Sequence, residues 1–122
     1  SRDGRFILYI PPGKQEVWVL PIDGTQPSFP LLQTEAYEGG AQLSPDGQWV
    51  AYVSDESTKF EVYVQRFPTG GGKRQISTGG GVGPHWRRDG KELFYYSTDG
   101  KLMALPVKSG ENFEVGAAEP LF

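Results

Sequence analysis

Short runs of apolar residues, separated by stretches rich in glycine, proline and aspartate, recur along the whole chain. One such run places Trp49, Ala51 and Val53 on one face of an extended segment and Val50 and Tyr52 on the other. Runs of this length, rich in β-branched and aromatic residues and bounded by turn residues, are typical of strands. The pattern therefore predicts an all-β chain of about eleven strands, with sheets that are covered on both faces.

An Asp-Gly dipeptide recurs at a spacing of 43 residues, at Asp3-Gly4, Asp46-Gly47 and Asp89-Gly90. Each dipeptide is followed by a strongly apolar strand, a second and more polar strand, and a weaker outer run that contains proline in the first and third copies. Proline suits an outer strand because it cannot donate a hydrogen bond to a neighbour. A glycine-rich segment before the second and third dipeptides is long enough for a short inner strand. The predicted strands are 5–10, 16–20 and 29–32, then 38–43, 48–54, 61–67 and 74–77, then 80–86, 91–97, 101–105 and 120–122.

Four antiparallel strands in every 43 residues, with no helical stretch between them, match one blade of a β-propeller. A parallel β-helix repeats over a much shorter period, and immunoglobulin-like sandwiches do not repeat one hairpin three times in register. We expect about three blades: residues 1–38 form a partial blade without its inner strand, and 39–78 and 79–122 form complete blades. Together they are expected to be one segment of a larger propeller domain.

The segment from Leu43 to Ser54 resembles the signature of the TolB-like, or WD40-like PD40, β-propeller repeat of bacteria. Residues 85–96 resemble a variant of it, with Arg87-Arg88 where Ser-Pro is usual, and the resemblance covers nearly the whole chain. It implies a periplasmic or other extracytoplasmic module that binds proteins, since the best-known relative is a partner of a peptidoglycan-associated lipoprotein. Similar repeats also form the sensor part of membrane serine/threonine kinases and the gating propeller of prolyl-oligopeptidase-like serine peptidases. The repeat alone does not decide between these functions.

Charge and composition exclude several classes of partner and chemistry. Twelve basic against fifteen acidic residues give a net charge of −3, so we expect no nucleic-acid partner. The absence of cysteine excludes disulfides, thiolate catalysis and cysteine-bound metals. No apolar run approaches the length of a membrane span, so we expect no direct membrane insertion.

The residues needed for catalysis are scarce. His85 is the single histidine, and no Gly-x-Ser-x-Gly elbow surrounds any serine. The glycine runs at 70–72 and 79–81 lack the spacing of a phosphate-binding loop, and we interpret them as a tight hairpin and a crowded connection between blades. The repeated aspartates lack calcium-loop spacing and are interpreted as turn residues. We therefore predict no catalytic residue, no metal site and no cofactor, so that this segment is not an enzyme by itself.

The remaining function is recognition of a protein or peptide partner. The connections between blades and the loops between the second and third strands of each blade lie at one end of the array, and this rim is the expected contact surface. An alternative is the propeller part of a larger enzyme, a sensor kinase or a serine peptidase. The candidate contact residues are Lys14, Tyr37, Glu38, Asp55, Lys59, His85 and Asp99.

A closed propeller typically has roughly four to eight blades, more than this chain supplies. The outer faces of the first and last blades are therefore expected to expose apolar surface. Either the remainder of a longer chain or self-association of this one would complete the propeller.

Overall fold

The computed structural model describes residues 6–9, 18–22, 27–30, 38–56, 58–67, 71–108 and 114–121. These residues form strands, turns and loops with no helix among them, which confirms the all-β prediction. The strands are β1 (Phe6–Tyr9), β2 (Trp18–Pro21), β3 (Phe29–Pro30), β4 (Glu38–Leu43), β5 (Trp49–Ser54), β6 (Glu61–Arg66), β7 (Arg74–Gln75), β8 (Gly81–Trp86), β9 (Glu92–Ser97), β10 (Leu102–Lys108), β11 (Glu114–Val115) and β12 (Glu119–Pro120).

The strands make three antiparallel sheets, each from one contiguous stretch of chain. The first sheet has the order β1-β2-β3, the second β4-β5-β6-β7, and the third β8-β9-β10 with β11 and β12 both paired to β10. Within the described residues, the first sheet has no strand beyond β1. This arrangement is the predicted series of propeller blades with a first blade that lacks its inner strand.

The outer strand of the third sheet differs from the prediction of one run at 120–122. It consists of β11 and β12, and the pairing register with β10 shifts by one residue between them. Pro106 lies in β10 beside this irregularity, where it has no N–H to donate but accepts the Gly116 N–H at 2.9 Å. The interrupted strand raises the number of described strands to twelve. A two-residue edge strand shows no period of its own in a sequence, so β11 could not be predicted.

The Asp-Gly turns have the same geometry in the second and third sheets. Asp46 and Asp89 each accept the backbone N–H two residues later, at 3.0 and 2.9 Å. Gly47 and Gly90 have φ angles of 72° and 75°, a left-handed conformation that costs glycine little. The interpretation of these aspartates as turn residues is confirmed.

The inner strands β4 and β8 carry a bulge at equivalent places. The pairing register shifts between Gly39 and Gln42 in β4, and between Val82 and His85 in β8, again 43 residues apart. The two inner strands are also tied directly, because the Trp86 indole N–H donates to the Gln42 carbonyl at 2.9 Å. Such a bond fixes the third sheet against the second.

The second sheet is covered on both faces, as the alternation along β5 predicted. Every apolar β5 side chain is at most 6% exposed. Burial of one such side chain contributes about 1.5–3 kcal/mol. Toward the third sheet the core comprises Trp49, Ala51, Val53, Val62, Val64, Leu93, Tyr95, Leu105 and Val107. Toward the first sheet it comprises Val19, Val50, Tyr52, Tyr63 and Phe67.

Candidate recognition surface

One end of the array is formed by residues 54–56, 58–60, 77–81 and 97–101, which we call the upper rim. Ser54 at the end of β5 pairs with Glu61, and Gly81 at the start of β8 pairs with Ser97, so these segments meet at the same end of their sheets. The Asp-Gly hairpins, residues 44–48 and 87–91, form the opposite end, the lower rim. Strand pairing therefore brings the loops of the second and third sheets together as expected.

The upper rim is held by a buried carboxylate. Glu61 is only 4% exposed, and its Oε1 accepts hydrogen bonds from the Ser77 hydroxyl at 2.6 Å and the Gly80 N–H at 2.9 Å. The Ser77 oxygen in turn accepts the Val62 N–H at 2.8 Å. Burial, and secondly the negative charge of Glu61, raise the pKa of Tyr95, so its phenol stays protonated at neutral pH. Hydrogen bonds to an ionised acceptor are stronger than neutral ones, and these fix the turn that joins the second sheet to the third.

That turn is crowded, as its glycines predicted. A Cβ on Gly80 would lie 2.3 Å from the Thr98 Cγ2 atom, and one on Gly81 would lie 2.6 Å from the Ser77 Oγ atom. Gly80 also has a φ of 107°, which side chains rarely adopt. The Thr98 hydroxyl donates to the Gly79 carbonyl at 3.3 Å, which ties the turn to the neighbouring hairpin.

The loops of the upper rim carry both acidic and basic side chains. Lys59 is exposed, Asp55 is partly exposed, and the Asp55 carbonyl accepts the Thr58 N–H at 2.9 Å to close the loop. Lys73 forms an ion pair with Glu56 beside them. The surface therefore offers both acidic and basic groups to a partner.

Asp99 lies at the tip of the hairpin between β9 and β10. It accepts a hydrogen bond from the Ser97 hydroxyl, and its Oδ2 lies 3.7 Å from the Lys101 Nζ atom. The hydrogen bond from Ser97, outweighing partial desolvation, and the charge of Lys101 lower the pKa of Asp99. Its carboxylate is fully ionised at neutral pH and faces solvent.

The structure places the predicted contact residues in three groups. Asp55, Lys59 and Asp99 lie on the upper rim. His85 does not, because it pairs with Phe94 near the lower end of β8. Its Nδ1 lies 3.1 Å from the Gly83 carbonyl, and its ring centroid lies 5.5 Å from that of Phe94, with the two rings tilted by 36°. The strand predicted at 80–86 is confirmed, and because β8 runs from one rim to the other, it places His85 away from the expected contact rim.

Of the other candidates, Glu38 begins β4 opposite Ser54, at the upper end of the second sheet. Lys14 and Tyr37 lie outside the described residues.

Sequence reasoning missed the residues that hold the rim. Glu61, Ser77 and Thr98 are ordinary polar residues at strand ends, and their partners are 16 to 19 positions away. The signal that could have found them was the glycine run at 79–81, whose crowding requires close neighbours.

The lower rim contains a cleft of about 300 Å³ between the two Asp-Gly hairpins. Its carboxylates are already engaged: Asp46 by the Ser44 hydroxyl and a backbone N–H, Asp89 by the Arg87 Nε atom at 3.3 Å and a backbone N–H. Asp46 and Asp89 therefore stabilise the turns in which they lie.

Among the described residues, no group of three or more histidine, cysteine, aspartate or glutamate side chains is close enough to hold a metal ion. The same residues include no helix of the length and apolarity needed to cross a membrane.

Antiparallel sheets stacked face to face, with their inner strands in contact along one side, define a segment of a β-propeller. Neither a protein-family model nor a curated protein matches the sequence. Solved structures do match. A protein assigned as TolB from Agrobacterium tumefaciens is 23% identical, with a TM-score of 0.75 over 100% of this chain and 47% of its own length. TolB from Acinetobacter baumannii is 20% identical, with a TM-score of 0.62 over 92% of this chain and 30% of its own.

Oligogalacturonate lyase from Vibrio parahaemolyticus is a more distant match, 17% identical with a TM-score of 0.55 over 92% of this chain and 28% of its own. At these identities the matches establish the fold. The chain has the TolB-like β-propeller fold that its repeats predicted. It spans 47% of the length of the Agrobacterium protein, and 30% and 28% of the lengths of the Acinetobacter and Vibrio proteins.

Proposed function

We propose that this chain is part of an extracytoplasmic β-propeller that recognises a protein or peptide partner through the upper rim and has no catalytic activity of its own. In this proposal residues 39–78 and 79–122 each act as one blade, and residues 1–38 as a partial blade. The proposal rests on one observation above all: side chains of both charges, Asp55, Lys59 and Asp99, lie on loops at one end of the sheets, beside a turn that Glu61 holds with two hydrogen bonds. A rigid surface of this kind loses little conformational entropy when a partner binds.

The surroundings of His85 support a role other than catalysis. The described contacts of its ring are the Gly83 carbonyl and the rings of Phe94 and Tyr96. In the described part of the chain, no serine or carboxylate is hydrogen-bonded to it. A nucleophile–base pair of the usual kind needs such a contact.

A peptide-display selection against the purified protein tests the proposal. Peptides enriched on the wild type should bind a rim variant, Asp55→Ala/Lys59→Ala/Asp99→Ala, at least tenfold more weakly. They should bind a matched lower-rim variant, Gln48→Ala/Arg88→Ala/Lys91→Ala, within about twofold of the wild type. Both variants change charged or polar residues of the surface, all of them exposed except the partly exposed Asp55, so both should keep a melting temperature close to that of the wild type.

Two results would overturn this function. Loss of binding in the lower-rim variant alone would place the recognition surface at the other end. Failure to enrich any peptide above an unrelated β-sheet protein would remove peptide recognition altogether.

A further inference from the structure

The two ends of the stack carry apolar faces that no further sheet of the described residues covers. On the first sheet, Phe6, Leu8 and Val19 pack toward the second sheet, so the alternate residues point away from it. These are Ile7, Tyr9, Trp18 and Leu20, which pair across the two strands and which we call the first-sheet face. Ile7 and Leu20 are 45% and 38% exposed.

The third sheet has a corresponding face. Leu93, Tyr95 and Met103 pack toward the second sheet, so the alternate residues point away from it. Phe94, Tyr96, Leu102 and Ala104 form this third-sheet face, with Tyr96 paired to Leu102 and Phe94 to Ala104. Tyr96 is 45% exposed, and Val82, its partner in β8, is 40% exposed.

The repeat shows what these faces are built to contact. Phe94 and Tyr96 lie 43 residues after Ala51 and Val53, which are 0% and 6% exposed because the third sheet covers them. The first-sheet face stands in the same relation to the second sheet, since Ile7 and Tyr9 lie 43 residues before Val50 and Tyr52, both fully buried against the first sheet. The third-sheet face therefore corresponds to the side of the second sheet that the following sheet covers, and the first-sheet face to the side that packs on the preceding sheet.

We infer that a second copy of this chain binds head to tail, with the third-sheet face of one copy packed on the first-sheet face of the other. This contact repeats between copies the two sheet-on-sheet contacts that exist within one copy. A heterologous contact of this type closes into a ring when its rotation permits. Two copies of three sheets would give a ring of six, within the usual range of roughly four to eight blades.

Charge and size agree with this pairing. The residues named in the two faces are uncharged, and the His85 ring lies beside Phe94 and Tyr96 on the third-sheet face. Two carboxylates border that face: Glu92, which is paired with Arg87 at 3.1 Å, and Glu119, which pairs with Ala104 and is exposed. Packing the apolar centres of the faces together strips water from apolar groups and leaves both carboxylates at the margin. This chain also covers 47% of the Agrobacterium structure, so two copies supply about as much polypeptide as that whole propeller-containing chain.

Sedimentation of wild type and variants over a concentration range tests the inference. The wild type should reach twice its monomer mass of 13.5 kDa as concentration rises. Ile7→Asp and Tyr96→Asp each block one face and should each remain monomeric. Mixed together, they retain one intact face apiece and should form a one-to-one complex. Phe60→Asp, a matched change at a 44% exposed residue of the upper rim, should associate like the wild type.

Each alternative gives a different result. A wild type that stays monomeric at every concentration would overturn the inference and leave the faces to other segments of a longer polypeptide. Association of Ile7→Asp with itself would show that like faces meet, which also overturns it. Circular dichroism confirms that the variants fold, and Val82→Asp replaces Tyr96→Asp if that variant does not. A failure here leaves the upper-rim proposal intact, because the peptide selection measures binding at a different surface.

Discussion

At the scale of single residues, the strongest constraint on the candidate surface comes from Glu61. A buried carboxylate is costly unless it is hydrogen-bonded, and Glu61 is bonded both to a hydroxyl and to a backbone N–H. The bond to Gly80 joins the second sheet to the turn that enters the third. Glu61 therefore positions the 77–81 turn of the upper rim and links two blades.

Replacing Glu61 should destabilise the fold much more than replacing an exposed acid nearby. Glu61→Ala leaves the Ser77 hydroxyl and the Gly80 N–H without their acceptor, which costs about 2–3 kcal/mol of unfolding free energy. Glu61→Gln keeps an acceptor oxygen and should cost less. Glu56→Ala removes only a surface ion pair with Lys73, worth about 1 kcal/mol or less. Urea unfolding of the three variants checks the order, and equal losses for Glu61→Ala and Glu56→Ala would contradict it.

The titration of Asp99 should depend mainly on Ser97. The hydrogen bond from Ser97 is the largest cause of its lowered pKa, ahead of the favourable charge of Lys101. Ser97→Ala should therefore raise the pKa of Asp99 more than Lys101→Ala does. Because the folded-state pKa is depressed, the contribution of Asp99 to stability is present above its unfolded pKa and is lost as pH falls through its folded pKa. Carboxyl-carbon NMR titration of wild type and both variants measures this, and a larger shift for Lys101→Ala would reverse the assignment.

At the scale of elements, the sequence predicted the central strands well and the edges less well. The runs that became β5, β6 and β9 are each six residues long and rich in β-branched or aromatic residues, and β5 and β9 follow Asp-Gly turns, so local pattern and tertiary burial agree there. The interrupted outer strand at β11 and β12 depends on Pro106 in the neighbouring strand, which no local pattern reveals. For the candidate surface, Asp55, Lys59 and Asp99 could be placed from strand order alone. The position of His85 relative to the rim could not be predicted in this way, because it depends on the bulge at Gly83, which shifts the pairing register of β8.

The turn between the second and third sheets should tolerate no side chain at Gly80. Gly80→Ala combines a φ of 107° with a contact of 2.3 Å to the Thr98 methyl group, whereas Gly71→Ala has a φ of 88° and open space around it. We expect Gly71→Ala to cost about 1–2 kcal/mol from backbone strain alone, and Gly80→Ala to cost clearly more. Thr98→Ser removes the methyl group and should recover part of the loss in Gly80→Ala. It should leave the cost of Gly71→Ala unchanged.

Thermal unfolding of the single and double variants measures these costs. An equal effect of Thr98→Ser in both glycine backgrounds would show that the close contact plays no part.

At the scale of the whole molecule, the second sheet shares one core with each neighbour. Val50 and Tyr52 pack toward the first sheet while Trp49 and Ala51 pack toward the third. Loss of the second sheet would expose both cores at once. The described sheets should therefore unfold as a single cooperative unit.

The three tryptophans provide a test, because Trp18, Trp49 and Trp86 lie one in each sheet. Three variants that each keep one tryptophan, with phenylalanine at the other two positions, report on the sheets separately. For each variant, the urea unfolding transition measured by fluorescence should coincide with the one measured by circular dichroism. A fluorescence transition for the Trp18 variant that precedes its own circular dichroism transition would show that the first sheet opens on its own.

The outer edges of the three sheets decide how this array resists uncontrolled association. Each outer edge ends in strands of two residues, β3, β7, β11 and β12, and prolines occupy two of them. Long unpaired edges recruit strands from other molecules and lead to fibrils, whereas short edges with proline offer too few donors to do so. The folded array therefore offers other molecules little backbone on which to add a strand, and its outer edges are poor templates for cross-β assembly.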